Sequence, residues 1–288
     1  MAWIETIVNG VLLGGLYALF GLGLAIVFGV MKVVNLAHGE FVVLSAYFAS
    51  ILASMFPSVS PLLLIVPVAL VAFGVGYVLQ ATLVNRSLTS ADPLTPVLLT
   101  FGISVVLRNL MVEVFGADPR ALDGGAIATA GFDVAGVRVG LYPLLVLVIA
   151  VVCFGALQWL LRSTRFGLIV RATSDDRRTV RTMGVKPGHI YSIVMGLSLV
   201  FASMAGLLLA MRTSFTPFSG VERLLGAFEV VIIGGLGSFW GALAGGIALG
   251  VAQLVGQRLD SNAGSLYSHL LFLLILMVRP NGLAGRRQ

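Results

Sequence analysis

Six stretches of this chain contain no Asp, Glu, Lys or Arg: 6–31, 41–85, 139–161, 187–211, 230–257 and 261–278. A helix needs roughly 20 apolar residues to cross the hydrocarbon core of a bilayer, so each stretch can hold a membrane span. The stretch 41–85 is twice that length and carries Pro57, Ser58, Ser60 and Pro61 in its middle, which reads as two spans and a turn. Charged residues make up 10% of the chain and hydrophobic ones 58%. A soluble domain spends about a quarter of its residues on charge, so that class is excluded. The sequence predicts an all-α polytopic membrane protein, one domain over residues 1–288, with about eight spans near 6–30, 37–56, 61–84, 94–115, 139–161, 188–211, 239–258 and 261–279. The fourth span is the least pure, because it contains Arg108 and Glu113.

Orientation follows from where the few charges fall. Seven of the 18 cations lie in 162–186, and Lys and Arg accumulate on the cytoplasmic side of membrane proteins. A cytoplasmic loop at 162–187 places the loop 116–138 and the N-terminus outside and Arg86 inside. Arg279, Arg286 and Arg287 favour a cytoplasmic C-terminus, which the three spans after residue 187 do not deliver. Residues 228–238 offer a remedy: Phe228 to Ile233 is apolar but too short to span, and Gly234-Gly235-Leu236-Gly237-Ser238 breaks any helix. A broken or re-entrant segment is therefore expected there, and such backbone is tolerated at membrane depth only where protein or a water-filled cavity satisfies it.

The net charge of +6 does not mark a nucleic-acid binder, since the cations form no patch interleaved with aromatics. The single cysteine, Cys153, lies inside an apolar span and implies neither an intrachain disulfide nor a metal site. The first ten residues lack the basic region of a cleavable leader, so the first span is expected to be retained. Of the 35 glycines, Gly10/Gly14, Gly241/Gly245 and Gly246/Gly250 are four apart, the spacing that lets membrane helices approach closely.

Two segments carry chemistry. Asn35-Leu36-Ala37-His38-Gly39-Glu40 joins two apolar runs with no polar loop around it. Ionisable groups at depth are costly unless paired or facing water, and Gly39 permits a backbone break. Paired interruptions in the two halves of a chain are how many transporters build a site at the membrane midplane. A plain cytoplasmic turn, with His38 and Glu40 at the interface and Lys32 nearby, is the alternative. The second segment is Ser174-Asp175-Asp176-Arg177-Arg178-Thr179-Val180-Arg181-Thr182-Met183-Gly184. Ser174 is placed to cap a helix, Asp175 and Asp176 suit its positive end, and Gly184 followed by Pro187 stops it. The expected product is a short cytoplasmic helix with Val180 and Met183 on one face, shaped to dock into a partner's groove or else to lie as a loop against solvent and lipid headgroups.

No G-x-x-x-x-G-K-[ST] motif occurs, so the chain is not expected to hydrolyse ATP, and the spacing of Gly235, Gly237 and Gly241 is not a dinucleotide fingerprint. Ser238 with His269 allows a remote reading as an intramembrane hydrolase, without a third group. A proton-coupled transporter using His38 and Glu40 is another alternative.

Phe28 to Phe41, with Asn35-Leu36-Ala37-His38-Gly39-Glu40 at its centre, resembles the signature of LivH-type permeases of bacterial branched-chain amino-acid ABC importers. Arg171 to Gly184, Val231 to Ser238 and Arg279-Pro280-Asn281-Gly282-Leu283 extend the resemblance along the chain. It implies a permease subunit of the bacterial inner membrane, with no cofactor of its own and ATP bound by partners. Those partners are a second homologous permease chain, two cytoplasmic ATP-binding subunits and a periplasmic substrate-binding protein. It implies a substrate path lined by Asn35, His38, Gly39, Glu40, Gly234, Gly235, Gly237 and Ser238. The coupling contact with the ATPases then falls to Ser174, Asp175, Asp176, Arg178, Val180, Met183 and Gly184. Arg178-Thr179-Val180 stands where Glu-Ala-Ala is usual in ABC permeases. Related permeases for urea or short amides share these signatures.

Overall fold

Each apolar stretch becomes a helix because lipid offers nothing to a backbone N–H or C=O, which must then be satisfied within its own segment. The computed structural model describes residues 2–90, 92–134 and 136–284. Its long helices are α1 (Ala2–Met31), α2 (His38–Met55), α3 (Pro61–Ser87), α4 (Thr95–Phe115), α5 (Leu141–Ser163), α8 (Pro187–Arg212) and α10 (Phe239–Leu259), seven that are long and apolar enough to cross a membrane. Between α5 and α8 lie two short helices, α6 (Arg165–Asp175) and α7 (Arg177–Thr182). Two helices of 15 residues complete the set, α9 (Gly220–Gly234) and α11 (Gly264–Val278). At about 1.5 Å per residue α11 reaches about 22 Å, short of a core about 30 Å thick. The last of the eight expected spans is thus a shorter helix.

The bundle has two distinct ends. Asn85 of α3 donates to the Gly188 carbonyl at the start of α8 (3.0 Å), and Ser174 of α6 donates to Gly29 at the end of α1 (3.0 Å). These contacts gather the cations of 162–186 at one end, called here the basic end. At the other, the loop after α4 hydrogen-bonds to the end of α8 (Leu122 N to Ala210 O, 2.8 Å) and pairs Arg120 with Phe215. That loop also carries a small antiparallel hairpin, β1 (Gly131–Val134) and β2 (Val137–Gly140). Arg258, at the end of α10, donates to Thr6, so α1 starts at this opposite end. The described C-terminal residues return to the basic end, where Leu283 and Ala284 donate to the carbonyls of Ile233 and Gly234. Arg286 and Arg287 lie outside the described residues.

α1 and α8 form the buried centre. α1 packs most extensively against α10, and small residues make the approach possible: a Cβ built on Gly14 would fall 2.4 Å from Ile247 Cα, and one on Gly250 would fall 2.4 Å from the Gly10 carbonyl oxygen. Gly241 and Gly245 do the same against α9, at Gly234 and Val230.

Two crossings are interrupted. After α1 ends at the basic end, residues 32–37 turn back, with Lys32 in the left-handed region at φ 55°, and α2 begins deep in the bundle. The His38 ring donates to the Phe20 carbonyl (3.0 Å). Phe20 is eleven residues, about 16 Å, from the basic end of α1 and close to the centre of the charge-free run 6–31. The second interruption mirrors the first. From the opposite end, 213–219 descends in extended and 3-10 conformation before α9 starts at Gly220.

That geometry corrects the expected re-entrant element at 228–238. Residues 228–234 are the second half of α9, and the whole of 213–234 crosses from one end to the other. The break after Gly234 is a tight turn at the basic end, allowed by Gly235 and Gly237 at φ 94° and 88°. An added crossing, rather than an element returning to its own side, brings both the turn and the C-terminal segment to the basic end.

Candidate translocation site and docking surface

The two interrupted helices start against each other. A Cβ on Gly39 would lie 1.9 Å from the Gly220 carbonyl oxygen and 2.8 Å from Leu224 N, so only glycine allows α2 and α9 to meet here. Around this meeting point Asn35, His38 and Glu40 are all buried. The Asn35 side chain accepts from Ala37 N (3.1 Å) and shapes the turn into α2, while Thr100 of α4 accepts from Leu36 N (3.1 Å). The alternative of a polar interfacial turn is thereby excluded: the segment is folded into the bundle.

Glu40 is held by a group the sequence places 68 residues away. Arg108, from the middle of α4, donates to Glu40 Oε1 through Nη2 (2.5 Å) and Nε (3.1 Å). The other carboxylate oxygen, Oε2, has no partner among the described residues and faces Gly220, where a Cβ would lie 2.3 Å away. The carboxylate thus sits between a guanidinium and the first residue of α9, the positive end of that helix. His38 Nδ1 is likewise unpartnered among the described residues, while Nε2 carries the proton given to Phe20. Arg108 was visible in the sequence as an impurity in a span. Its pairing with Glu40 was not read from the sequence, although opposite charges stranded in apolar segments are expected to pair. Gly220 carried no such signal.

Gly234, Gly235, Gly237 and Ser238 are not brought to this point. They form the turn at the basic end, where Ser238 Oγ accepts from Gly241 N (3.1 Å) and caps α10. A cavity of about 460 Å³ opens there between Gly237, Ser238, Trp240, Arg162 and Arg171. The Ser238 hydroxyl caps α10 and the His269 ring is engaged by Glu229 (2.5 Å), so Ser238 and His269 do not form the nucleophile–base pair that hydrolysis needs.

The segment 174–184 also departs from expectation. It is divided at Asp176, whose backbone is extended, into the end of α6 and the short α7. Asp176, not Ser174, is the cap: Oδ1 accepts from the backbone N–H of Arg178 (2.7 Å) and Thr179 (3.3 Å), and Oδ2 from the Thr179 hydroxyl (2.5 Å). The Thr179 hydroxyl first, then these two amides, hold the Asp176 carboxyl below its usual range. Ser174 lies within α6 and ties it to α1. Gly184, at φ 83°, closes α7 by donating to Arg181 O. Val180 and Met183 do not form one knob. Val180 is buried at 4% exposure, whereas Met183, already past the last helical turn, is 76% exposed. The exposed residues of the segment include Met183 and the charged Asp175, Asp176, Arg178 and Arg181.

Comparison with known proteins agrees with this architecture along nearly the whole chain. The family model described as branched-chain amino acid transport system / permease component matches residues 6–279. The chain belongs to this permease family. It is 28% identical to the high-affinity branched-chain amino acid transport system permease protein BraD of Pseudomonas aeruginosa, over 99% of this chain and 96% of that protein. LivH of Escherichia coli K12 is 25% identical over the same shares. LivM of the same organism, also named a permease protein of that system, is 25% identical over 93% of this chain and 67% of its own length. No solved structure matches the chain significantly. The permease is thus a multi-pass inner-membrane protein.

Proposed function

We propose that this permease is a subunit of an ATP-driven importer that carries branched-chain amino acids inward by alternating access. The observation that carries the reading is the meeting of two interrupted crossings, α2 and α9, near mid-depth in a chain matched to the permease family over 6–279. Helices broken at the midplane are where transporters place their sites. The starts of α2 and α9, with Asn35, His38, Gly39 and Glu40, form the moving core of the path, and the turn 234–238 lies at its basic mouth. The basic end faces the cytoplasm by the positive-inside bias, which puts the N-terminus outside and the described C-terminal end inside. A second, homologous permease chain completes the membrane unit, as the similarity to both LivH and LivM supports. Two ATP-binding subunits engage Met183 and the exposed charged residues of 175–181, and a periplasmic protein delivers substrate.

A proton-coupled mechanism is disfavoured by the packing. His38 is fully enclosed and bound to backbone, and Glu40 is held by Arg108, so neither meets water to exchange protons. Reconstitution with the partner subunits tests the reading. Uptake of labelled leucine, isoleucine and valine that requires ATP and survives collapse of the proton gradient is the expected result. Uptake of urea or short amides in preference, or loss of transport with the gradient, overturns it.

A further inference from the structure

Between α1, α8, α9, α10 and α11, on the opposite side of the bundle centre from the basic end, lie two adjoining cavities of about 280 and 160 Å³ that share Tyr17, Phe20, Glu222, Arg223 and Gln253. Their depth follows from register. Gly226 faces the Tyr17 ring, and Tyr17 is near the centre of the charge-free run 6–31. Arg223 is one turn away from Gly226 and therefore within about 5 Å of that level along the helix. Charges of both signs stand on the walls. Arg223 and, in the larger cavity, Arg212 supply cations; Glu222 and, in the smaller cavity, Glu229 supply carboxylates. Glu229 is already held by His269, which lines the smaller cavity (2.5 Å), whereas Arg223 is incompletely satisfied: it meets Glu222 only at 3.4 Å, and its Nε is buried without a partner among the described residues. Between the charges the wall is apolar, built by Leu13, Leu16 and Phe20.

Ionisable residues inside a membrane protein that face a cavity mark a ligand or ion path. A ligand for these walls must carry a negative group for the guanidinium ions, a positive group for the carboxylates, and an apolar body. We propose that this cavity is a stopping point for a zwitterionic α-amino acid with an aliphatic side chain, its carboxylate on Arg223 and Arg212, its ammonium on Glu222 and Glu229, and its side chain against Leu13, Leu16 and Phe20. The inference rests on the importer reading and adds to it a site within this chain. It also explains why a permease for apolar residues keeps four charges in its wall: they answer the backbone of the substrate, not its side chain.

The test uses the assembled transporter, purified without the periplasmic protein, and binding of tritiated L-leucine by scintillation proximity. Unlabelled L-leucine is expected to displace the label, while leucinol, lacking the carboxylate, and 4-methylpentanoate, lacking the ammonium, compete at least about tenfold more weakly, because each leaves a wall charge unanswered. Arg223→Gln is expected to weaken binding by about tenfold or more, with partial recovery in Arg223→Lys, and Leu16→Trp to abolish it by filling the cavity. Equal competition by either analogue in the unaltered complex overturns the site, whatever the variants do. So does binding within about twofold of the unaltered complex in both Arg223→Gln and Leu16→Trp. Separate leucine uptake by the complete system distinguishes the two levels: uptake without these effects removes the cavity site alone, whereas absence of all leucine uptake removes the importer reading and the site with it.

Discussion

Gly39, the second residue of α2, and Gly220, the first of α9, bring two helix starts into backbone contact, and neither position has room for a methyl group. A Cβ on Gly39 would overlap a carbonyl oxygen, which cannot rotate away as a side chain could. Gly39→Ala is expected to cost about 1–3 kcal/mol through overpacking, and Gly39→Val more. The check is the thermal midpoint of the purified permease, with Gly29→Ala, where a Cβ meets nothing within 4 Å, as the neutral comparison. An equal midpoint for Gly39→Ala and Gly29→Ala would show that α2 and α9 do not meet.

Arg108 and Glu40 give the second prediction. Removing one partner strands the other in a buried position and costs about 3–5 kcal/mol, whereas an apolar pair of similar volume is often tolerated. Arg108→Met is expected to be strongly destabilising, and Arg108→Met with Glu40→Gln distinctly less so. A double-mutant cycle on unfolding in denaturing detergent measures the coupling. Additive effects would mean that the pair carries no interaction.

How much of this was written in the sequence depends on the range of the interaction. The spans were legible because lipid forces each apolar run to satisfy its own backbone, a local requirement. The small-residue seam of α1 and α10 was legible as spacing, although not its partner. Asn35 to Glu40 stood out because ionisable residues between apolar runs are rare. The site's completion was not legible, because Arg108 and Gly220 come from segments far along the chain and their placement is decided by helix packing. The turn at 234–238 was misplaced for a related reason: glycines announce a break but not its depth. Depth came from the hydrogen bond of His38 to Phe20 and from the packing of Gly234 beside the C-terminal segment. In 174–184 the cap was read as Ser174 and the two aspartates only as charges at the helix's positive end, whereas the extended backbone of Asp176 makes it the cap.

Asp176 makes α7 sensitive to acid. Its carboxyl is held below the usual range because its ionised form accepts from Thr179 and from two backbone amides. A depressed folded value means that the cap's contribution is present above the ordinary aspartate value of about 4 and is lost as pH falls through the lower folded value. Amide exchange at Arg178 and Thr179 in the detergent-solubilised permease is expected to show extra opening only in that acidic window. Asp176→Asn, which keeps an accepting oxygen but does not titrate there, removes the pH dependence. A profile unchanged in Asp176→Asn would assign the acid sensitivity elsewhere.

Met183 and Val180 separate docking from folding, two roles that a helix so short would otherwise confound. Val180 is buried and donates to Asp176 O while its own carbonyl accepts from Met183 and Val185. A charge there is expected to unfold α7 and to reduce the yield of intact permease. Met183 closes α7 through its backbone N–H alone, and its side chain is exposed. Met183→Asp should therefore leave the permease folded and inserted, with a thermal midpoint within the roughly 0.5 kcal/mol typical of surface changes. In the reconstituted transporter the same substitution is expected to lower ATP-driven uptake by about tenfold, through loss of an apolar contact and gain of an unmatched charge at the ATPase surface. Co-purification of the ATP-binding subunits together with uptake at the unaltered rate would move the contact away from Met183 and leave the exposed face of α7 to solvent or lipid headgroups.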